Sequence, residues 1–105
     1  MSVAIDDDLW SAIGDPTRRR LLDILLADGT ATATGLSAHV PVTRQAVAKH
    51  LDVLDRAGLV HATAAGREKR YRVDPAQLAR ASAQAQAQGA RAWLRRIQAT
   101  AAQRG

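Results

Sequence analysis

The segment TATGLSAHVPVTRQAVAKHLDVLDRAGLV, residues 32–60, decides the fold. Thr32 is suited to cap a short helix in which Leu36 and Val40 face inward. Pro41 prevents that helix from continuing, because proline has no backbone N–H to donate. The pattern predicts a tight four-residue connection around Pro41-Val42 to the next helix.

A second, longer helix follows this turn. Thr43 caps it, and Gly58 stops it, so that about fifteen residues belong to it. Its spacing predicts one buried face, formed by Val47, Leu51, Leu54 and Ala57. Helix, turn and helix together span about residues 32–58.

A basic hairpin is predicted directly after the second helix, over about residues 59–73. Leu59–Thr63 and Glu68–Val73 read as two short strands around the turn residues 64–67. By alternation, the side chains at positions 71 and 73 point inward and those of Arg70 and Arg72 point outward. We therefore expect a two-stranded wing with a positively charged outer face.

Further helices flank this central unit. A first helix is predicted over about residues 6–14, and Asp15-Pro16 then starts a second, which runs to about Ala27 before Asp28-Gly29. Asp74-Pro75 starts a last, alanine- and glutamine-rich helix over about residues 75–102. The fold class is mainly α with a small β-hairpin, with about five helices and one domain over residues 1–105.

The composition favours a polyanionic partner. Of the 105 residues, 47% are apolar, which is enough for one core. The formal net charge is +5 and the isoelectric point is about 11.0, an excess of positive charge that most often faces nucleic acid. Residues 1–39 hold six aspartates against three arginines, whereas residues 75–105 hold five arginines and no acidic residue.

Cellular location is predicted from what the sequence lacks. There is no cysteine, and hence no disulfide and no thiolate metal site. The acidic start of the chain lacks the features of a signal peptide, and no apolar run approaches the roughly 20 residues that span a bilayer. We predict a cytoplasmic protein with no membrane partner.

The start of the second, longer helix carries side chains suited to a DNA groove. Arginine binds guanine in two-pronged fashion, glutamine does the same for adenine, lysine reaches guanine or phosphate, and a small residue allows close approach. The predicted DNA-binding residues are Thr43, Arg44, Gln45, Ala48, Lys49 and His50 on this helix, and Arg67, Lys69 and Arg70 on the wing. The alternatives are a solvated helix face and a hairpin that only aids solubility.

Three other features leave alternatives open or exclude chemistry. His50 borders the buried face, where it either bonds to backbone or contacts phosphate, and Arg18 either reaches DNA or a partner's acidic cap or lies in solvent. His39 and His61 are far apart in sequence and no carboxylate sits at ligand spacing, which argues against a histidine metal site. No nucleophile motif, carboxylate pair or phosphate-binding glycine loop indicates an enzyme.

The terminal helices predict a homodimer. Their large apolar side chains exceed what a small monomer's core obviously needs, and pairing them across a two-fold axis would bury them. The predicted interface residues are Leu9, Trp10, Ile13, Leu78, Trp93, Leu94 and Ile97. Such a dimer would set its two DNA-reading helices about 34 Å apart, one turn of B-DNA, on an inverted repeat. The alternative is that the two tryptophans pack within one chain.

The chain carries several separated motifs in a fixed order: IGDPTRRRLL at 13–22, VTRQAVAKHL at 42–51 with Leu54, AGLV at 57–60, and Gly66-Arg67 with Tyr71. Over about residues 9–78 they resemble the ArsR family of bacterial winged-helix repressors. The resemblance implies a winged helix-turn-helix fold and a dimeric repressor that leaves its operator when an inducer binds. It also implies that residues 43–49 open the recognition helix and that Gly66-Arg67 lie near the wing tip.

The chain departs from the metal-sensing members that it resembles. One branch of the family carries Cys-Val-Cys-Asp-Leu before the turn, where this chain has Thr-Ala-Thr-Gly-Leu at residues 32–36. Another branch carries Asp and His ligands on the last helix, but from Gln77 onward this chain has no His, Asp or Glu. We therefore expect no metal cofactor, and an inducer, if one exists, that is an unidentified small molecule.

The predicted function is that of a sequence-specific DNA-binding transcriptional regulator, most simply a homodimeric repressor of a double-stranded operator. A different class of function is a protein-interaction module that uses the basic face to bind an acidic partner. An enzyme acting on nucleic acid would need a metal or a general base that the sequence does not offer.

Overall fold

The structure, a computed structural model, describes residues 7–87. Its elements, in chain order, are α1 (Asp7–Gly14), α2 (Pro16–Asp28), β1 (Ala31–Thr32), α3 (Ala33–Ser37), α4 (Arg44–Arg56), β2 (Val60–Ala65), β3 (Glu68–Val73) and α5 (Pro75–Ala87). The Trp10 side chain lies outside this description. So do the predicted interface residues Trp93, Leu94 and Ile97 and the predicted end of the last helix.

Side-chain caps fix where four of the helices begin. The capping oxygens of Asp15, Thr32, Thr43 and Asp74 accept hydrogen bonds from the backbone N–H three residues on, at 3.0, 3.1, 3.1 and 2.8 Å. Each satisfies an N–H group that the helix itself leaves free, and is worth about 1 kcal/mol. All four caps match the sequence prediction.

The predicted two-stranded wing is formed by β2 and β3, and a third strand, β1, extends it to a three-stranded sheet. Its order is β1-β3-β2, and both pairs are antiparallel. The added strand pairs Ala31 with Tyr71 and Thr32 with Arg70. A two-residue strand is too short to show an alternating pattern, which is why the sequence did not reveal it.

The hairpin is longer than predicted and its turn is tighter. β2 runs on to Ala65, which pairs with Glu68, so that only Gly66 and Arg67 form the turn. Gly66 has a φ of +66°, in the left-handed region that glycine reaches without steric cost. Tyr71 is buried and Val73 half-buried, as the alternation predicts.

The third helix is shorter than predicted. α3 ends at Ser37, so six residues, 38–43, connect it to α4 in place of the expected four. Val40 is still buried, but it reaches the core from this loop. Gly35 lowers the helix propensity of α3, and Pro41 prevents the helix from extending. So short a helix therefore depends on packing against its neighbours for its stability.

The core joins every helix to the inner face of the sheet. Its fully buried large side chains are Leu9, Ile13, Leu21, Leu22, Leu25, Leu36, Val47, Leu51, Leu54 and Leu59. The prediction that Leu9 and Ile13 are exposed for a dimer is wrong, because α1 packs against α2, α4 and α5 of its own chain. Leu78 is likewise 6% exposed. Within residues 7–87 no helix is long and apolar enough to cross a membrane.

Candidate nucleic-acid interface

The N-terminal edge of α4 is rigidly placed and faces solvent. Val47 and Leu51 are fully buried, which fixes the rotation of the helix about its axis. Arg44, Gln45 and Lys49 are exposed on the other side. With the exposed cap Thr43 and the half-buried Ala48, they form a surface that we call the α4 edge.

Arg44 is tied to two residues that the sequence did not single out. Its Nε donates a hydrogen bond to Thr34 Oγ1 at 2.9 Å, and that hydroxyl donates in turn to Glu68 Oε1 at 2.5 Å. Arg44 Nη2 lies 3.9 Å from the same carboxylate oxygen. We call this set the Arg44 network. Residues 34, 44 and 68 meet because α3 packs on α4 and the β1–β3 pairing carries the start of β3 beside α3.

The basic residues of the wing do not share one face. Arg67 and Lys69 line an open groove of about 580 Å³ together with Asp55 and His61. Arg70 follows Lys69 on the strand and points to the opposite face, where its Nη1 donates to Thr30 Oγ1 at 3.2 Å. All three cations are exposed, with Arg67 in the turn itself.

Arg18 lies inside the fold, contrary to both predicted roles. Its side chain is 15% exposed, so it is neither in solvent nor free to reach DNA or a partner. Nε donates to Ala12 O at 2.7 Å and Nη2 donates to Ser11 O at 2.9 Å, both near the C-terminal end of α1. A cation there also interacts favourably with the helix dipole.

The third contact of Arg18 is to His50 in α4. Arg18 Nη1 lies 3.2 Å from His50 Nδ1. Since a guanidinium only donates, Nδ1 must accept, which assigns the proton of the neutral ring to Nε2. His50 is half-buried and bonds to this side chain, not to backbone as one of the two alternatives predicted.

The two aspartate caps are held in their ionised form. Burial raises the pKa of Asp15, but the backbone N–H and the guanidinium of Arg18 outweigh it, so this pKa lies below its ordinary value. The backbone N–H of Gln77 and then the ring of His61 lower the pKa of Asp74. His61 Nε2 lies 2.5 Å from Asp74 Oδ2. Away from the caps, burial raises the pKa of Tyr71, and the negative charges of Asp52 and Asp55 raise it further.

Residues 7–87 contain no group of three or more histidine, aspartate or glutamate side chains placed to hold a metal ion. This part of the chain carries a surface of exposed polar and basic side chains on α4 beside a hairpin. Such a surface suits the groove and phosphates of a duplex.

Comparison with known proteins gives a consistent picture. A helix-turn-helix domain family matches residues 13–62. The chain is 45% identical over 73 residues to the HTH-type transcriptional regulator CmtR of Mycobacterium tuberculosis, across 70% of this chain and 61% of CmtR. It is 41% identical over 73 residues to the uncharacterized HTH-type transcriptional regulator YuzN of Bacillus subtilis, across 64% of this chain and 76% of YuzN.

Among solved structures, an ArsR-like transcriptional regulator from Rhodococcus sp. RHA1 matches with a TM-score of 0.66 and 38% identity, across 88% of this chain and 83% of that one. The helix-turn-helix with its adjoining hairpin defines a winged helix-turn-helix protein. The chain belongs to the ArsR family of transcriptional regulators. It spans 61% of the length of CmtR.

Proposed function

We propose that this chain binds double-stranded DNA in a sequence-specific manner and represses transcription. One observation carries the proposal: Arg44, Gln45 and Lys49 project from the first turns of α4 while Val47 anchors that helix in the core. These side chains match the hydrogen-bonding edges of guanine and adenine. The predicted DNA-binding set, which includes the wing, stays part of this proposal.

We further propose that the operator is an inverted repeat read by a homodimer. Names of relatives support a regulatory role, and a two-fold assembly would present two α4 edges about one helical turn apart. Because Leu9, Ile13 and Leu78 already fill the core, the interface would rely on other surfaces of α1 and α5 and on Trp93, Leu94 and Ile97.

The test starts from duplexes selected by the wild-type protein out of genomic fragments. Affinity for a selected duplex and for an unrelated one is measured by fluorescence anisotropy across a salt series. We expect log affinity to fall steeply with log salt, because several phosphates are neutralised, and we expect the selected duplex to bind more tightly.

A matched pair of variants distinguishes recognition of bases from unspecific electrostatic attraction to the DNA backbone. Arg44→Ala removes one positive charge from the α4 edge, and Arg56→Ala removes one from the exposed last turn of the same helix. Arg44→Ala should lower the preference for the selected duplex by roughly 5- to 100-fold, the cost of one two-pronged base contact. Arg56→Ala should leave the preference unchanged. Equal affinity for every duplex, together with an acidic protein that co-purifies, would contradict sequence-specific DNA binding and support the protein-interaction role.

The dimer is tested on the operator itself. Inserting five base pairs between the two halves of a selected inverted repeat turns one half-site to the opposite side of the duplex. We expect affinity to fall toward that of a single half-site, and insertion of a full helical turn not to restore it, because two α4 edges about 34 Å apart cannot span half-sites that lie two turns apart. Unchanged affinity after the five-base-pair insertion would contradict a dimer that reads both halves.

A further inference from the structure

We infer that Thr34 and Glu68 are positioning residues that aim the guanidinium of Arg44 at a guanine. The inference rests on the proposed DNA binding and adds to it the residues that set base preference. It is carried by the Arg44 network, in which a hydroxyl from α3 and a carboxylate from β3 meet the first residue of α4.

The polarity of the network is fully determined. The Thr34 hydroxyl has one hydrogen, which goes to the Glu68 carboxylate, and its oxygen therefore receives the Nε–H of Arg44. A positive donor stands at one end and a negative acceptor at the other, so both hydrogen bonds are charge-assisted. Thr34 itself is held by the short helix α3, where Ser37 Oγ donates to the backbone oxygen of Thr34 at 2.8 Å.

These contacts occupy only one edge of the guanidinium. Arginine offers five N–H groups in a planar fork. Thr34 takes the Nε–H, and the Glu68 oxygen lies on the side of Nη2. Within residues 7–87 the structure gives Nη1 of Arg44 no hydrogen-bond partner, and the side chain is 59% exposed. The outer edge, formed by Nη1 and the second hydrogen of Nη2, is therefore available for guanine O6 and N7.

Stability is a poor explanation for this arrangement. Exposed ion pairs contribute little to folding, and the Glu68 side chain is 36% exposed. A long arginine, by contrast, loses much rotamer freedom when it binds a base, and a side chain already held in place loses less. This smaller loss of rotamer freedom favours the guanine contact, which requires one arginine conformation, whereas a phosphate contact tolerates many.

The opposite role would be competition, in which Glu68 holds Arg44 back from DNA. The two roles predict different changes in the ratio of the affinities for the selected and the unrelated duplex when Glu68 is neutralised. If Glu68 competes, then its neutralisation strengthens binding to the selected duplex at least as much as binding to unrelated DNA. If Glu68 positions Arg44, then neutralisation strengthens only the unspecific attraction to phosphate and lowers the ratio of the two affinities.

The experiment measures affinities of full-length variants for the selected duplex and for an unrelated duplex. Thr34→Val removes the hydroxyl at nearly constant shape, and Thr34→Ser keeps it. We expect Thr34→Val to lower the affinity ratio by about three- to tenfold, the cost of one newly ordered arginine, and Thr34→Ser to restore most of it. Glu68→Gln should lower the ratio as well, whereas Asp52→Asn, an exposed carboxylate farther along α4, should not.

A base-level readout separates positioning from a general structural role. Each guanine of the selected duplex is replaced in turn by 7-deazaguanine, which lacks the N7 acceptor. For the wild type, one replacement should weaken binding, and that loss should shrink in Thr34→Val and vanish in Arg44→Ala. Equal losses in the wild type and Thr34→Val, or a higher affinity ratio in Glu68→Gln, would overturn the inference. A wild type without any preference would instead overturn the proposed function, so the two failures are distinguishable.

Discussion

Arg18 and His50 are thirty-two positions apart in the chain, yet Arg18 Nη1 lies 3.2 Å from His50 Nδ1. The same guanidinium holds two backbone oxygens near the end of α1, so that one side chain connects α1, α2 and α4. His50 directly follows Lys49 of the α4 edge. The orientation of that edge is therefore set partly by a residue of α2.

Replacing Arg18 should destabilise the protein. Arg18→Ala leaves two carbonyls and a ring nitrogen without their charged donor, and should lower the free energy of unfolding by about 2 kcal/mol. The control is Arg20→Ala, since Arg20 is exposed, and its effect should stay within about 0.5 kcal/mol. Urea denaturation followed by circular dichroism measures both. Equal effects of the two substitutions would show that the contacts of Arg18 are not structural.

The contact between Arg18 and His50 should appear as an energetic coupling. His50→Asn keeps an acceptor near the position of Nδ1, whereas His50→Ala removes it. We expect a double-mutant cycle of Arg18→Ala with His50→Ala to give a coupling of about 1 kcal/mol, and His50→Asn to retain most of the stability. Additive effects in the cycle would mean that the 3.2 Å contact contributes nothing in solution.

Acid should weaken the fold through its two aspartate caps. The folded-state pKa values of Asp15 and Asp74 lie below the ordinary 3.8, so the folded state binds these protons less readily than the unfolded chain does. Their contribution is complete above about 3.8 and is lost as the pH falls through the lowered values. The double variant Asp15→Asn, Asp74→Asn keeps neutral caps, and its unfolding free energy should depend less on pH below 4 than that of the wild type.

The control for this acid titration is Asp28→Asn, which removes an exposed carboxylate that caps no helix start. Its unfolding free energy, measured by urea denaturation from pH 2 to 7, should follow the wild-type curve. If the doubly substituted protein also follows that curve, then the caps are not the source of the acid sensitivity.

Only one of two glycines should be costly to replace by alanine. Gly66 has a φ of +66°, and no atom stands within 4 Å of an added Cβ, so Gly66→Ala meets backbone strain alone, of about 1–2 kcal/mol. Gly14 has no positive φ, also faces open space and ends α1, so Gly14→Ala should be neutral or stabilise by up to about 1 kcal/mol. Thermal unfolding of both variants checks this difference. A loss at Gly14 as large as that at Gly66 would contradict it.

Local interactions explain what the sequence could predict. A cap and its N–H partner are three residues apart, so Asp15, Thr43 and Asp74 reveal helix starts without any knowledge of the fold. The same holds for the inner face of α4 and for the alternation that buries Tyr71. The ArsR resemblance added the expectation that these elements form a winged helix-turn-helix fold.

Contacts between residues that are far apart in the sequence explain what the sequence alone could not predict. The partners of Arg44 lie 10 and 24 positions away and depend on a two-residue strand with no pattern of its own. The misjudged exposure of Leu9 has a similar cause. An apolar stripe says that a helix face is buried, but not whether its own chain or a second copy buries it.

The pairing of Ala31 and Thr32 with β3 bears on how much freedom the wing has. A hairpin attached only at its base can swing, whereas β3 of this one is also paired, at Arg70 and Tyr71, with the two residues directly before α3. This pairing restrains the separation between Arg67 at the tip of the hairpin and Gln45 at the start of α4. In the proposed complex with DNA, a duplex whose groove is too wide or too narrow for that separation has to deform to touch both residues, so that groove width, as well as base sequence, would set which DNA is bound.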